Sequence, residues 1–280
     1  MSHIIKFSLN HMVYPSCSAQ ELIMTAAQLG INAIELRNDI QTNSITDLQQ
    51  ATEIGALAKE NGIEILTINA LYPFNIWNEE REAQAEKLAG LAHACEAGGL
   101  VLCPLNDGSY KASEEEKAAN LEIALTSLDK ILERYNLTGF VEALGFPVSS
   151  IRLKRKVVDA IKEVGLENRF SLVHDTFHHQ GAGEQEMFAN MTGLVHISGV
   201  EDPNITFASM QDSHRVFVGP NDRLDNIQQI RQLLTDGYKG YFSFEPFSRK
   251  IGNLPDPIAA AKESIDYISA QLQPINQHND

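Results

Sequence analysis

Four ionisable residues fall at matching places along the chain: Glu142 in "GFVEAL", Asp175 in "FSLVHD", His196 in "GLVHIS" and Glu245 in "GYFSFE". Each ends, or nearly ends, a short apolar run. Three carboxylates and an imidazole that converge in a confined space cannot all stay charged unaided. Two carboxylates about 4 Å apart repel by roughly 4 kcal/mol at an effective dielectric near 20. A divalent cation removes the conflict, and oxygen and nitrogen donors suit Mn²⁺, Zn²⁺, Co²⁺ or Mg²⁺. Beside Asp175, "HDTFHH" adds three histidines. His174 has the opposite parity and reads as a core histidine facing helices. His178 lies past the strand end, where it can reach a substrate or a second metal. His179 reads as exposed or as a residue supporting the site.

Those runs must be strands for the four residues to meet. In a strand, alternate side chains face opposite sides. Val195, Ile197, Phe242 and Phe244 suit a helix-covered face, which turns His196 and Glu245 the other way, with Glu142 and Asp175 beside them. Eight β-like runs occur, at residues 5–10, 32–36, 63–69, 100–105, 139–144, 170–175, 193–198 and 240–245. Helical segments are predicted between or after them, over 19–29, 47–61, 79–97, 114–135, 151–164, 185–191, 226–235 and 257–272. Ser113 with Glu116 forms a capping box, and Gly30, Gly62, Gly98, Gly165 and Gly237 follow helices where a left-handed cap is wanted. Strict β/α alternation implies a parallel sheet, and eight units predict one closed (β/α)8 TIM barrel over residues 1–280, with 275–280 a polar tail. The four residues then sit at the C-terminal ends of strands 5 to 8, the face where barrels keep their active sites. Arg37 and Asn69, at the ends of strands 2 and 3, point at the same mouth.

Composition narrows the partners. With 22 Lys and Arg against 37 Asp and Glu, the net charge is −15, which argues against binding through nucleic-acid phosphates. The stretch from Arg152 to Lys156 reads as one solvated helix face. Three cysteines without CxxC spacing give no disulfide framework and fit a reducing cytoplasm. No signal peptide and no membrane-spanning run are expected. Nor is a Gly-rich phosphate cradle evident, which favours an unphosphorylated polyol.

At this point the chain resembles the xylose-isomerase-like barrels, the sugar isomerases and epimerases that also include endonuclease IV. The resemblance runs from "FSLNHM" to "FSFEPF" and rests on "VEALGFP", "HDTFH", "VHISGVED" and "SFEPF". It implies one divalent metal held by Glu142, Asp175, His196 and Glu245, with Glu142 and Glu245 doubling as the acid/base pair. "AIELRND", "INALYPFN" and "VHISGVEDPN" followed by "DSHRVFVGP" are similar to the inosose (2-keto-myo-inositol) isomerase branch. That implies an enzyme moving a proton next to a carbonyl of a small keto-polyol or ketose, in inositol catabolism. His178, Arg215, Arg37, Asn69 and Trp77 are then the substrate-contacting candidates, with Trp77 covering a carbocyclic ring. His178, Asp212 and His214 match ligands of a second metal. Two departures stand out. "RVFVGPNDR" keeps one glycine where many members have a Gly-x-Gly turn, and Asn69 and "PLND" stand where endonuclease IV carries further histidines. Alternatives within the class are a ketose 3-epimerase, a hydroxypyruvate-type isomerase and an inosose dehydratase. Outside it lie an abasic-site endonuclease and a non-catalytic barrel. Barrels of this kind often form homo-oligomers, and no stretch here shows how.

Overall fold

The computed structural model describes residues 5–40 and 45–273, so the expected polar tail lies outside the described residues. Eight parallel strands close into a barrel in sequence order. They are β1 (Lys6–Asn10), β2 (Ala33–Arg37), β3 (Glu64–Leu71), β4 (Gly99–Leu102), β5 (Thr138–Glu142), β6 (Phe170–Asp175), β7 (Thr192–Ile197) and β8 (Tyr241–Phe244). Around them run α1 (Ala19–Gln28), α2 (Leu48–Glu60), α3 (Glu79–Ala94), α4 (Glu114–Tyr135), α5 (Lys154–Glu163), α6 (Thr176–Ala182), α7 (Asn226–Thr235), α8 (Arg249–Gly252) and α9 (Pro257–Leu272). Among the described residues, no helix is long and apolar enough to cross a membrane.

The parity reading holds. Val195, Ile197, Phe242 and Phe244 are fully buried in the layer between sheet and helices, with Leu36, Ile68, Val141 and Leu172. Burying side chains of this size contributes about 1.5–3 kcal/mol each. The opposite parity fills the barrel. Ala33, Leu66, Val101, Val173 and Leu194, with Phe140 and Tyr241, form an interior apolar plug. Two residues farther along their strands, Glu35, Glu142, Asp175 and His196 follow Ala33, Phe140, Val173 and Leu194, so the polar layer rests directly on this plug.

A register shift between β2 and β3 sets Ile34 against Ile65 but Glu35 against Thr67. The extra residue is a bulge, which re-aims the strand after it. Leu66 joins the interior plug, yet Thr67 and Asn69 also turn inward, onto Glu35.

Several local expectations change. The segment predicted as a helix over 185–191 has no helix; α6 instead starts immediately after β6. Asp175 caps it, its Oδ1 accepting from the His178 N–H at 2.9 Å, and Gly183 at φ 69° ends it. Gly30, Gly62, Gly165 and Gly237 take positive φ as expected, whereas near Gly98 the turn residue is Glu96 at φ 57°. The Ser113–Glu116 capping box is present. Gly145 permits a close approach, since a Cβ there would lie 2.1 Å from the His178 carbonyl oxygen.

The Arg152–Lys156 stretch is not one solvated face. Lys154 is 3% exposed, and its Nζ donates to His174 Nδ1 at 2.8 Å and to the Met187 carbonyl at 3.3 Å. His174 is buried on the helix side as expected, its Nε2 bonded to Gln229 Oε1 at 2.9 Å. His179 is not exposed: its ring lies 4.7 Å from that of His174, because α6 folds it back over β6. Burial pulls the Lys154 ammonium down to about 8, with Glu184 and Glu186 opposing. Its folded value lies below its unfolded one, so the unfolded chain binds more protons between pH 8 and 10.5, and stability rises with pH there. Urea unfolding of the native protein and of Lys154→Met checks this. The native chain is expected to gain roughly 2–3 kcal/mol relative to the variant from pH 7.5 to 10. An unchanged difference between the two proteins would show that Lys154 is not buried as a cation.

Candidate metal centre and active site

β5 to β8 deliver the four residues to one point. Glu142, Asp175, His196 and Glu245 are buried, and one ligand atom from each lies within 4.8 Å of all the others. Among the described residues, this is the one group of three or more potential ligands close enough to hold an ion. His196 Nδ1 lies 3.2 Å from Glu245 Oε2 and 3.7 Å from Glu142 Oε1. It is buried and makes no hydrogen bond. An orphaned nitrogen facing carboxylate oxygens is what a bound cation requires, and the residues fit such an ion.

Charge supports the fit. Glu35, Glu142, Asp175 and Glu245 are each no more than 3% exposed, while the buried cations beside them are Arg37 and Arg215. With a neutral His196 ring two negative charges stay uncompensated, the deficit that one divalent ion fills. Burial opposes a charged His196 ring, but Glu245 and Glu35 outweigh it and draw positive charge there. Burial likewise raises Glu245, yet His196, Arg215 and Arg37 together hold its carboxyl far below the usual range.

The arginines are built into the site. Arg37 donates to Glu245 Oε1 at 2.8 Å and forks onto Asp39 at 2.8 Å. Arg215 bridges Asp175 Oδ2 at 2.5 Å and Glu245 Oε2 at 3.0 Å, and its Nε donates to Ser198. Phe247 lies beside both guanidiniums, 5.1 Å from Arg37 and 4.7 Å from Arg215.

Above the cluster opens a cavity of about 470 Å³. Asn38, Asn69, Asn106, His178 and Asp212 give it polar walls, and Tyr72, Leu144, Phe146 and Phe247 apolar ones. His178 packs edge-on between Phe146 and Phe177, at 5.0 and 5.2 Å, with Nε2 3.8 Å from Glu142 Oε1. Cys103 Sγ lies 3.5 Å from Glu142 Oε2. Burial and the Glu142 charge push that thiol well above its ordinary range, so it stays protonated and donates.

Of the sequence candidates, His178, Arg37, Asn69 and Arg215 line the cavity together with Glu142 and Glu245, and Trp77 does not. Trp77 is half-buried against the main core, and Tyr72, Phe146 and Phe247 supply the aromatic surface of the cavity. Asp212 reaches the rim but pairs with Arg215 at 3.2 Å. His214 Nδ1 accepts from the Gln211 N–H at 2.9 Å, which turns that nitrogen to its own loop.

Sequence reading missed Glu35, Phe247 and Cys103. Glu35 was accessible in principle, because Ile34 and Leu36 flank it with the parity of a helix-facing pair. Nothing local identified its partners.

A closed parallel barrel with a buried carboxylate–histidine cluster at its C-terminal mouth defines the class as a (β/α)8 barrel with a group that could hold a metal ion. The chain belongs to the xylose isomerase-like TIM barrel family, whose profile matches residues 23–271. It is similar to a xylose isomerase domain-containing protein of Salmonella typhimurium LT2, with 35% identity and a TM-score of 0.85 over 98% of this chain and 100% of that one. IolI, solved with a bound zinc atom, is 22% identical with a TM-score of 0.81, covering 96% of this chain and all of its own. D-psicose 3-epimerase from Clostridium cellulolyticum H10, solved with D-tagatose, is 16% identical with a TM-score of 0.75, over 96% of this chain and all of that one. The curated proteins contain no match.

Proposed function

We propose that the protein is a divalent-metal-dependent isomerase of an uncharged keto-polyol, with an inosose (2-keto-myo-inositol) as the preferred substrate. One observation carries the reading. Glu142 and Glu245 flank His196 Nδ1 from two sides, beneath a polar cavity whose cations are already paired. Arg37 and Arg215, the cationic side chains lining it, are each bonded to at least two carboxylates. Asp39 and Asp212 add negative charge at the rim. A substrate carboxylate or phosphate would find no free counter-ion, which disfavours hydroxypyruvate and sugar phosphates. The acidic chain disfavours abasic DNA on the same grounds.

A divalent ion held by the four residues supplies a Lewis acid that stabilises charge developing on neighbouring substrate oxygens. The protein's own groups handle the protons. Moving a carbonyl along a polyol requires a carboxylate to take the proton from the adjacent hydroxyl-bearing carbon, an acid to deliver a proton to the former carbonyl carbon, and the hydroxyl proton to pass to the former carbonyl oxygen. Glu142 and Glu245 take the first two roles. Glu142 receives only the weak S–H bond of Cys103 on Oε2, which leaves its oxygens free to carry the returning proton. Glu245, bonded to both arginines, is held as the carboxylate and so enters the exchange as the base. Asp175, fixed by Arg215 and by capping α6, acts as a ligand alone. His178 and Asn69 orient hydroxyls at the walls.

A ketose 3-epimerase is the second reading, favoured by structural likeness to the D-psicose and D-allulose 3-epimerases. The test is a panel of inososes, ketoses, hydroxypyruvate and ketose phosphates in D2O, followed by NMR. Conversion of an inosose with deuterium incorporated at carbon is expected. Turnover confined to ketoses would select the epimerase, and turnover confined to the anionic compounds would overturn the proposal.

A further inference from the structure

We infer that Glu35 is a positioning residue that fixes the tautomer of His196, so that Nδ1 and not Nε2 faces the metal centre. The inference rests on the metal-site reading but on no particular substrate. Glu35 lies on β2, across the barrel from β7, and is fully buried. Its carboxylate meets four nitrogen or hydroxyl groups. Thr67 Oγ1 donates to Oε2 at 2.6 Å, and Asn69 Nδ2 to the same oxygen at 2.9 Å. Asn10 Nδ2 approaches Oε1 at 3.4 Å, and His196 Nε2 lies 3.1 Å from Oε1.

The direction of each bond follows from the other partners. Asn10 Oδ1 accepts from the Met12 N–H at 3.0 Å, so its amide nitrogen must face Glu35. A carboxylate only accepts, so His196 Nε2 must carry the proton. A neutral ring, the form that can ligate, then leaves Nδ1 unprotonated, the nitrogen without a partner between Glu142 and Glu245. A carboxylate bonded to the far nitrogen of a ligating histidine also makes that ligand more basic. Asn10 extends the connection, since Nδ2 also lies 3.3 Å from Glu245 Oε1. Glu35 thus touches neither ion nor substrate, and acts through His196.

Glu35→Gln is the informative change. An amide turns two donors toward a ring of donors, so at least one bond must break. With zinc as probe and a competing chelator, the variant is expected to bind 10–100-fold more weakly, with an unchanged far-UV spectrum. Thr67→Val, which spares the carboxylate, should lose less. The native protein settles the tautomer directly: ¹⁵N-histidine NMR of the zinc-loaded chain, with His196 assigned by difference against His196→Gln, should show a protonated Nε2 and a zinc-shifted Nδ1. Zinc on Nε2, or a folded Glu35→Gln protein binding zinc within twofold of native, overturns the inference. Because this readout is metal binding and ring protonation, a failure of the isomerase assignment in the substrate panel would leave it standing.

Discussion

Replacing Glu245 by Gln is expected to lower turnover by about 10²–10⁴-fold while most of the bound metal is retained. The amide keeps one oxygen that can ligate, but it no longer accepts or returns a proton. Its two positions are not equivalent. Oε1 receives Arg37 and Asn10, and Oε2 receives Arg215 beside His196 Nδ1. The NH2 group must therefore face a donor at one of them, so metal affinity falls moderately, and far less than turnover. Metal content per chain and deuterium exchange at the substrate carbon separate the two effects. Near-native exchange in a metal-loaded Glu245→Gln protein would remove Glu245 from proton transfer and leave it a ligand alone.

The second large effect is expected on chelation. Dialysis against a strong chelator should abolish turnover and lower the melting temperature, and one equivalent of divalent ion per chain should restore both. Two negative charges are left uncompensated among the buried carboxylates and guanidiniums, so removing the cation leaves repulsion in a low-dielectric interior. An ion present at about 1,000 times its Kd stabilises by about 4 kcal/mol, which for a chain of this size corresponds to roughly 10 °C. Atomic absorption, activity and calorimetry on the same samples check it. Turnover that survives complete metal removal would defeat the mechanism. A need for three equivalents would point instead to a multinuclear site of the endonuclease kind.

Much of this site was legible before the fold was known. His196 and Glu245 lie in runs whose large apolar residues claim the opposite face, and the same choice of parity on strands 5 and 6 sends Glu142 and Asp175 inward as well. Phe242 and Phe244, buried against the helices, are the counterpart that makes Glu245 point to the axis. The alternation of strands and helices carries the barrel closure, because a parallel strand must be covered on its outer face. Parity also separated His174 from Asp175, adjacent residues with opposite surroundings. It is a local property, set within a few residues.

What parity does not contain is the identity of the partner across the barrel. Glu35 and His196 are 161 residues apart, and their contact depends on strand stagger and on the bulge that brings Thr67 opposite Glu35. Arg37 and Arg215 read as groups aimed at a substrate; they do line the cavity, and closure also pairs them with Glu245 and Asp175. Lys154 read as solvated because its neighbours are charged, but the packing of α5 against β6 buries its ammonium on His174. The capping oxygen of Asp175 started α6 nine residues early and carried His178 and His179 into the interior. For Glu35, Arg37 and Arg215 the sequence by itself determined the direction of the side chain, whereas the burial of Lys154 and the start of α6 were not legible in it. Only the tertiary structure decided which opposite charge or donor would be there, because Coulomb and hydrogen-bond partners are chosen by distance in space.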